Sequence, residues 1–146
     1  MTKLVSIDAY LPHAPDLAKA ALPLGMLLAW CANLRLLSEA FEVEYAAPLL
    51  RLRMQEIVGS ELLVACGGDL RREMFNEAGL AFVERYLDQL DADLKDAFGK
   101  DPMDVDDNWA NYGKFAKIVT RKFMGPGSKR GVSLGSRIKS WWQRKK

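Results

Sequence analysis

Apolar residues recur every three or four positions along most of this chain, and this spacing is typical of amphipathic helices. The pattern begins at Asp16 and runs to Leu37 through PLGMLLAWCANLRLL (residues 23–37), which contains a tryptophan, a cysteine and six leucines. Its least charged part, residues 20–34, is 15 residues long and includes Pro23, whereas a membrane-spanning helix needs about 20 apolar residues. The stretch is therefore predicted to be a core helix, with a kink or a separate short turn at Pro23.

Capping residues and glycines divide the rest of the apolar pattern into four further helices. These are residues 45–57, ended by Gly59; residues 61–66, capped by Ser60 and closed by Gly67 and Gly68; residues 77–98, capped by Asn76 and stopped by Gly99; and a last helix from Asp106 or Asp107 to Phe123. The prolines within residues 7–15 predict an extended or turning lead-in. Only residues 4–7, LVSI, suggest a strand.

The predicted fold is therefore all-α, a single compact bundle of about five helices. Its body covers residues 7–124. Residues 125–146 form a separate unit, in which a Gly-Pro-Gly-Ser linker is followed by a flexible basic tail. Trp30, Trp109 and Tyr112 fall on or beside the apolar faces, so they are predicted to be structural core residues.

The two cysteines, Cys31 and Cys66, both lie inside apolar runs, LLAWCANL and LLVACGG. Small secreted domains that depend on disulfides usually contain more cysteines than two. We therefore expect buried, reduced thiols that react slowly. The first ten residues, MTKLVSIDAY, do not have the pattern of a secretory leader, so a cytoplasmic location is expected.

Searches for catalytic and metal-binding patterns give no candidate. The single histidine, His13, lies between two prolines and is expected to be an exposed loop residue. In the calcium-loop pattern that starts at Asp104, Trp109 stands where glycine is required and Phe115 where a bidentate glutamate is required. Zinc-ligand spacings and phosphate-binding glycine loops are also missing from the sequence. The sequence therefore predicts no catalytic residue, no metal, no cofactor and no small-molecule substrate.

Charge is distributed very unevenly along the chain. Residues 1–113 contain 19 acidic and 10 basic side chains, whereas residues 114–146 contain 11 basic side chains and no acidic one. An acidic band at residues 84–107 either solubilises a helix face or docks a basic partner. The predicted partner-binding residues are Glu84, Asp88, Asp91, Asp96, Asp104, Asp106 and Asp107.

The basic tail combines cationic side chains with two adjacent tryptophans. This composition suits contact with an anionic membrane or another polyanion. Docking onto the acidic band of the same chain, or simple flexibility, are alternatives that the sequence leaves open. The residues predicted for membrane or polyanion contact are Lys129, Arg130, Arg137, Lys139, Trp141, Trp142 and Arg144.

Four motifs in a fixed order resemble a family of small uncharacterised all-helical bacterial domains. In this sequence they are Gly25 with Ala29 and Trp30; Gly59 with Glu61; Glu77 with Gly79, Phe82 and Tyr86; and Trp109 with Tyr112. The resemblance covers about residues 16–124 and leaves out the basic tail. Members of that family are associated with polymorphic toxin–immunity loci.

The resemblance implies an immunity-type protein that binds and neutralises a cognate protein toxin by occluding its active site. It brings no catalytic residues, because the matching positions are core aromatics and glycines that were expected to stop helices. A toxin that targets nucleic acid presents a basic cleft, which an acidic domain would fit. The alternative is a helical adaptor that uses its tail at a membrane, including the inner membrane, or on another polyanion. Binding of nucleic acid by the body is not expected.

Overall fold

The structure, a computed structural model, describes residues 3–125 and is built mainly from helices. The helices are α1 (Leu17–Asn33), α2 (Glu39–Glu44), α3 (Ala46–Arg53), α4 (Gly59–Ala65), α5 (Glu77–Tyr86), α6 (Leu90–Phe98) and α7 (Trp109–Met124). Two short strands, β1 (Lys3–Ser6) and β2 (Asp69–Arg71), form one antiparallel pair. The predicted helical class is confirmed, although the described residues hold seven α-helices where about five were expected.

Helix α1 lies at the centre of the fold. Every residue from Ala20 to Ala32 is buried, because neighbouring elements cover the helix on all sides. Its first turn is capped by the carboxylate of Asp16, which accepts a hydrogen bond from the backbone N–H of Lys19. The helix continues through Pro23 and ends at Asn33, so residues 34–37 lie outside it. Residues 23–33 of the leucine-rich stretch are thus confirmed as core helix, whereas residues 34–37 are not helical.

Helix α4 crosses α1 with the two backbones in direct contact at Gly25 and Gly59. A Cβ atom built on Gly25 would lie 2.5 Å from the backbone nitrogen of Ser60, so no side chain fits there. Gly59 was expected to end the preceding helix, with Ser60 as the next cap, but Gly59 is instead the first residue of α4. A Cβ atom on Gly79 of α5 would likewise meet the carbonyl oxygen of Leu36. These glycines therefore permit close packing between elements.

Two of the predicted helices are divided differently in the structure. A 3₁₀ turn, Leu87–Gln89, separates α5 from α6, where one helix over residues 77–98 was expected. This tighter turn changes which side chains face inward, so that Tyr86 and Asp93 are buried while Leu87 is only partly buried. The helix predicted over residues 45–57 is shorter, and α2 before it was not predicted.

The ends of the described chain are tied to the helical core. Strand β1 forms where LVSI predicted it, but its partner β2, at the end of the loop after α4, was not predicted. The lead-in consists of two 3₁₀ turns, Ile7–Ala9 and Leu11–His13, as its prolines suggested. Helix α7 begins after Asn108, whose side chain accepts a hydrogen bond from the backbone N–H of Asn111. The predicted start at Asp106 or Asp107 was therefore early by two or three residues.

The three aromatic residues predicted for the core differ in burial. Trp30 has 0% of its surface exposed, donates a hydrogen bond from Nε1 to Thr120 Oγ1 (3.0 Å), and contacts the rings of Phe82 and Phe123. Trp109 and Tyr112 are only partly buried and contact each other edge to face. Trp109 is less enclosed than predicted because it is the first residue of α7, at the edge of the domain.

Candidate functional site

Exposed carboxylates are concentrated on α6 and on the segments at its two ends. Asp91 and Asp96 are exposed on α6, whereas Leu90 and Leu94 of the same helix are buried. The 3₁₀ turn Pro102–Asp104, which follows α6, packs against α6 and α1. We call the following five exposed residues the acidic surface: Asp88, Asp91, Asp96, Asp104 and Asp106.

The two halves of the acidic surface differ in how far nearby lysines compensate their charge. Asp106 lies 4.0 Å from Lys19 Nζ, and Asp104 and Asp106 line a small cleft together with Lys100 and Lys114. On the helical half, by contrast, Asp88 and Asp96 take part in no ion pair within residues 3–125. Within the acidic surface, Asp88 and Asp96 are therefore the carboxylates that neither pair with a lysine nor line a cleft with one, whereas Asp91 lines a cavity together with Lys95.

Asp91 is held in a fixed position by the N-terminal lead-in. The hydroxyl of Tyr10 donates a hydrogen bond to Asp91 Oδ1 at 2.8 Å. Burial raises the pKa of Tyr10 above its ordinary value, and the hydrogen bond and negative charge of Asp91 raise it further. Both residues border a cavity of about 260 Å³ that Asp101 also lines. His13 is exposed, as expected, and lines the same cavity.

Two of the seven predicted partner-binding residues do not belong to the acidic surface. Glu84 forms an ion pair with Arg72, which neutralises its charge locally. Asp107 points inward, and its Oδ2 atom is buried without a hydrogen-bond partner among the described residues. Burial raises the pKa of Asp107, while hydrogen bonds from Ser60 oppose that shift. The sequence around Asp107 does not indicate that its side chain is buried, because Ser60, which lies close to it in the structure, is far away along the chain.

Sequence reasoning also missed that Asp93 is a buried residue of the core. Only 3% of its surface is exposed, and its carboxylate accepts hydrogen bonds from the Tyr86 hydroxyl (2.7 Å) and from Lys122 Nζ (2.9 Å). Lys122 Nζ also donates to Gln89 Oε1 at 3.0 Å. Asp93 therefore links α5, α6 and α7, and is unavailable to a partner.

A basic cleft lies between α5 and α7, beside the buried Asp93. Its volume is about 380 Å³. The residues that line it are Phe82, Arg85, Tyr86, Gln89, Arg121 and Lys122. No sequence pattern indicates this cleft, because its cationic residues come from two helices separated by more than 30 positions.

The remaining predictions concern the tail, metal binding and membranes. Lys129, Arg130, Arg137, Lys139, Trp141, Trp142 and Arg144 all lie outside the described residues. Within residues 3–125, no cluster of three or more histidine, cysteine or acidic side chains is arranged to hold a metal ion. None of the helices in that range is both long enough and apolar enough to cross a membrane.

Comparison with known proteins identifies one family. Residues 7–108 match the model of a domain family described as a domain of unknown function, DUF7832. The matched segment contains α1 to α6 and ends at the residue that caps α7. It includes every residue of the acidic surface, whereas Arg121 and Lys122 of the basic cleft lie beyond it. No curated protein and no solved structure matches the chain.

Proposed function

This chain belongs to the DUF7832 family, and we propose that it is a protein-binding domain whose acidic surface docks a basic partner. The observation that carries the proposal is the exposure of Asp88 and Asp96 without compensating ion pairs within residues 3–125. A cationic partner would supply the opposite charge that these two carboxylates lack within residues 3–125.

The acidic surface suits rapid association because its geometry is fixed before binding. Leu90 and Leu94 anchor α6 in the core, and Tyr10 holds Asp91 in place. Ordered groups lose less conformational entropy on binding than groups on a flexible segment. Opposed charges across an interface mainly increase the rate of encounter and exclude partners of the wrong charge.

The specific form of the proposal is an immunity-type protein that neutralises a cognate toxin in the cytoplasm. It is supported by the resemblance of residues 16–124 to helical domains of toxin–immunity loci. A toxin that acts on nucleic acid has a basic active-site cleft, and an acidic domain seated there would block access of substrate. The proposed role is non-catalytic. The alternative of a tail-based membrane adaptor depends on residues outside the described range.

The proposal is tested by co-expression with the protein encoded by the gene immediately upstream. That protein is expressed in a heterologous host with the full chain, with an Asp88→Lys/Asp96→Lys variant, or with an empty vector. The proposal predicts that the upstream protein stops growth and that the wild-type chain restores growth and co-purifies with it. The variant should restore growth less well.

A control variant, Glu44→Lys/Glu56→Lys, makes the same change in net charge on α2 and after α3, away from the acidic surface. It should restore growth as well as the wild-type chain does. An upstream protein that is harmless, or one that stays toxic when the wild-type chain is present, contradicts the inhibitor proposal. Equal rescue by both variants contradicts the assignment of the surface.

A further inference from the structure

The basic cleft has the composition of an anion-binding site. Of the six residues that line it, three are cationic and none carries a carboxylate. Arg85 lies on α5, and Arg121 and Lys122 lie near the end of α7, so two helices bring the three positive charges together. Positive charges collected in a concave site attract anions more strongly than the same charges spread over a flat surface.

The charge available to a ligand in the cleft is close to two. The ammonium group of Lys122 is already paired with the buried carboxylate of Asp93 at 2.9 Å. The guanidinium of Arg85 lies 4.9 Å from the centre of the Phe82 ring and forms no ion pair with another described residue. Arg121 is exposed and has no carboxylate partner within residues 3–125. The two guanidinium groups are therefore free to bind an anion.

The base of the cleft is apolar but offers no open aromatic face. Phe82 stacks on Tyr86 with ring centres 5.0 Å apart, and it also contacts the rings of Trp30 and Phe123. Arg85 covers Phe82 as well. A ligand would therefore meet ring edges and aliphatic stems, which favour a small apolar group over a large planar ring stacked on an aromatic side chain.

We propose that the basic cleft between α5 and α7 binds a small soluble phosphate monoester with an apolar body. A phosphate monoester carries a charge between about −1.5 and −2 at pH 7, which matches two free guanidinium groups better than a single carboxylate does. Arginine is suited to phosphate because its planar group donates two parallel hydrogen bonds. The volume of about 380 Å³ lies at the small end of the range for ligand pockets, about 300–1,000 Å³.

The proposal is tested by isothermal titration of the full chain with phenyl phosphate, benzoate and inorganic phosphate. Phenyl phosphate should bind most tightly, because only phenyl phosphate combines a dianion with an apolar body. An Arg85→Gln/Arg121→Gln variant should bind phenyl phosphate at least about tenfold more weakly, since hydrogen bonds to charged groups contribute about 1.5–3 kcal/mol each. The matched control is Lys114→Gln/Lys117→Gln, which removes two exposed charges from α7 outside the cleft and should leave the affinity unchanged.

Four results would overturn the proposal. Equal binding of phenyl phosphate and benzoate would show that the cleft does not select a dianion. Equal binding of phenyl phosphate and inorganic phosphate would show that an apolar body on the ligand does not contribute to binding. A phosphotyrosine peptide that binds more tightly than phenyl phosphate would assign the cleft to a modified protein. Unchanged binding by the double variant would place the anion elsewhere on the chain. A wild-type circular dichroism spectrum of the Arg85→Gln/Arg121→Gln variant excludes misfolding as the cause of its loss of binding.

Discussion

Asp93 Oδ1 accepts a hydrogen bond from Lys122 Nζ at 2.9 Å and thereby ties α6 to α7. Asp96, three residues later on the same helix, is exposed and forms no ion pair within residues 3–125. Two carboxylates of one acidic band therefore have different roles, one in stability and one at the surface. The distinction separates variants that test folding from variants that test binding.

Replacing Asp93 should destabilise the domain, whereas replacing Asp96 should not. Asp93→Asn weakens the contact with Lys122, and we expect the free energy of unfolding to fall by about 1–3 kcal/mol. This lies below the effect of breaking a fully buried ion pair, because the Lys122 side chain is 40% exposed. Asp96→Asn should change stability by less than about 0.5 kcal/mol. Urea denaturation measures the change in the free energy of unfolding for each variant. Equal changes for Asp93→Asn and Asp96→Asn would show that the contact of Asp93 with Lys122 is not stabilising.

The contact between Gly25 and Gly59 predicts opposite results for two glycine-to-alanine changes. Gly25→Ala places a methyl group against the backbone at Ser60 and should cost about 2 kcal/mol or more. Gly113→Ala is the control, because Gly113 lies inside α7 and a Cβ atom there meets nothing within 4 Å. It should stabilise the domain by about 0.5–1 kcal/mol. Thermal denaturation measures the stability of each variant. If both variants are less stable than the wild type, the result contradicts the described close contact of α1 with α4.

The two thiols should react slowly in the folded protein. Burial raises the pKa of Cys66 to about 11 and that of Cys31 further above its ordinary value. Because the thiolate is the reactive form, a disulfide reagent at pH 8 should modify both far more slowly than a free thiol, and Cys31 more slowly than Cys66. In denaturant, two thiols per chain should react at once. Rapid reaction of either cysteine in the native protein would contradict the described burial.

Three tyrosines should remain protonated well above pH 10 in the native state. Burial raises the pKa of Tyr112 to about 12, and burial together with a carboxylate partner raises the pKa values of Tyr10 and Tyr86 further. The unfolded chain releases these protons near pH 10, so it binds fewer protons than the native state above that pH. Stability should therefore fall as pH rises above 10.

Absorbance at 295 nm measures the phenolate form of tyrosine directly. The native protein should show ionisation of no more than one of its four tyrosines between pH 9 and 11, whereas the chain in denaturant should show all four. Urea denaturation at pH 8 and at pH 10.5 measures the predicted loss of stability. The free energy of unfolding should be lower at pH 10.5. Ionisation of several native tyrosines near pH 10 would contradict the described hydrogen bonds to Asp91 and Asp93.

Local signals in the sequence were sufficient for the core helix and for several of the helix ends. The cap at Asn76 and the left-handed glycine at Gly99 act within one turn of chain, so sequence reasoning found them, and the helical pattern beginning at Asp16 located the start of α1. The roles of Gly25 and Gly59 depend on contact between separate helices, and a glycine that permits close packing is indistinguishable in sequence from one that ends a helix.

The candidate site was only partly predictable for the same reason. Helical periodicity placed Asp88 and Asp91 away from the apolar stripe, and both are exposed. The inward positions of Asp93 and Asp107 result from the 3₁₀ turn after α5 and from the approach of Ser60. Each depends on residues brought together by tertiary packing, which periodicity does not describe.

The most direct test of the acidic surface is the association rate with the purified upstream protein, measured by stopped-flow fluorescence at 50 and 300 mM salt. The variants are Asp88→Lys/Asp96→Lys and the control Glu44→Lys/Glu56→Lys; Asp91 is left intact because it bonds to Tyr10. Salt should slow association of the wild type, the first variant should associate at least about tenfold more slowly than the wild type at low salt, and the control should keep more of the wild-type rate. Equal rates for the two variants, or a wild-type rate independent of salt, would contradict binding through the acidic surface.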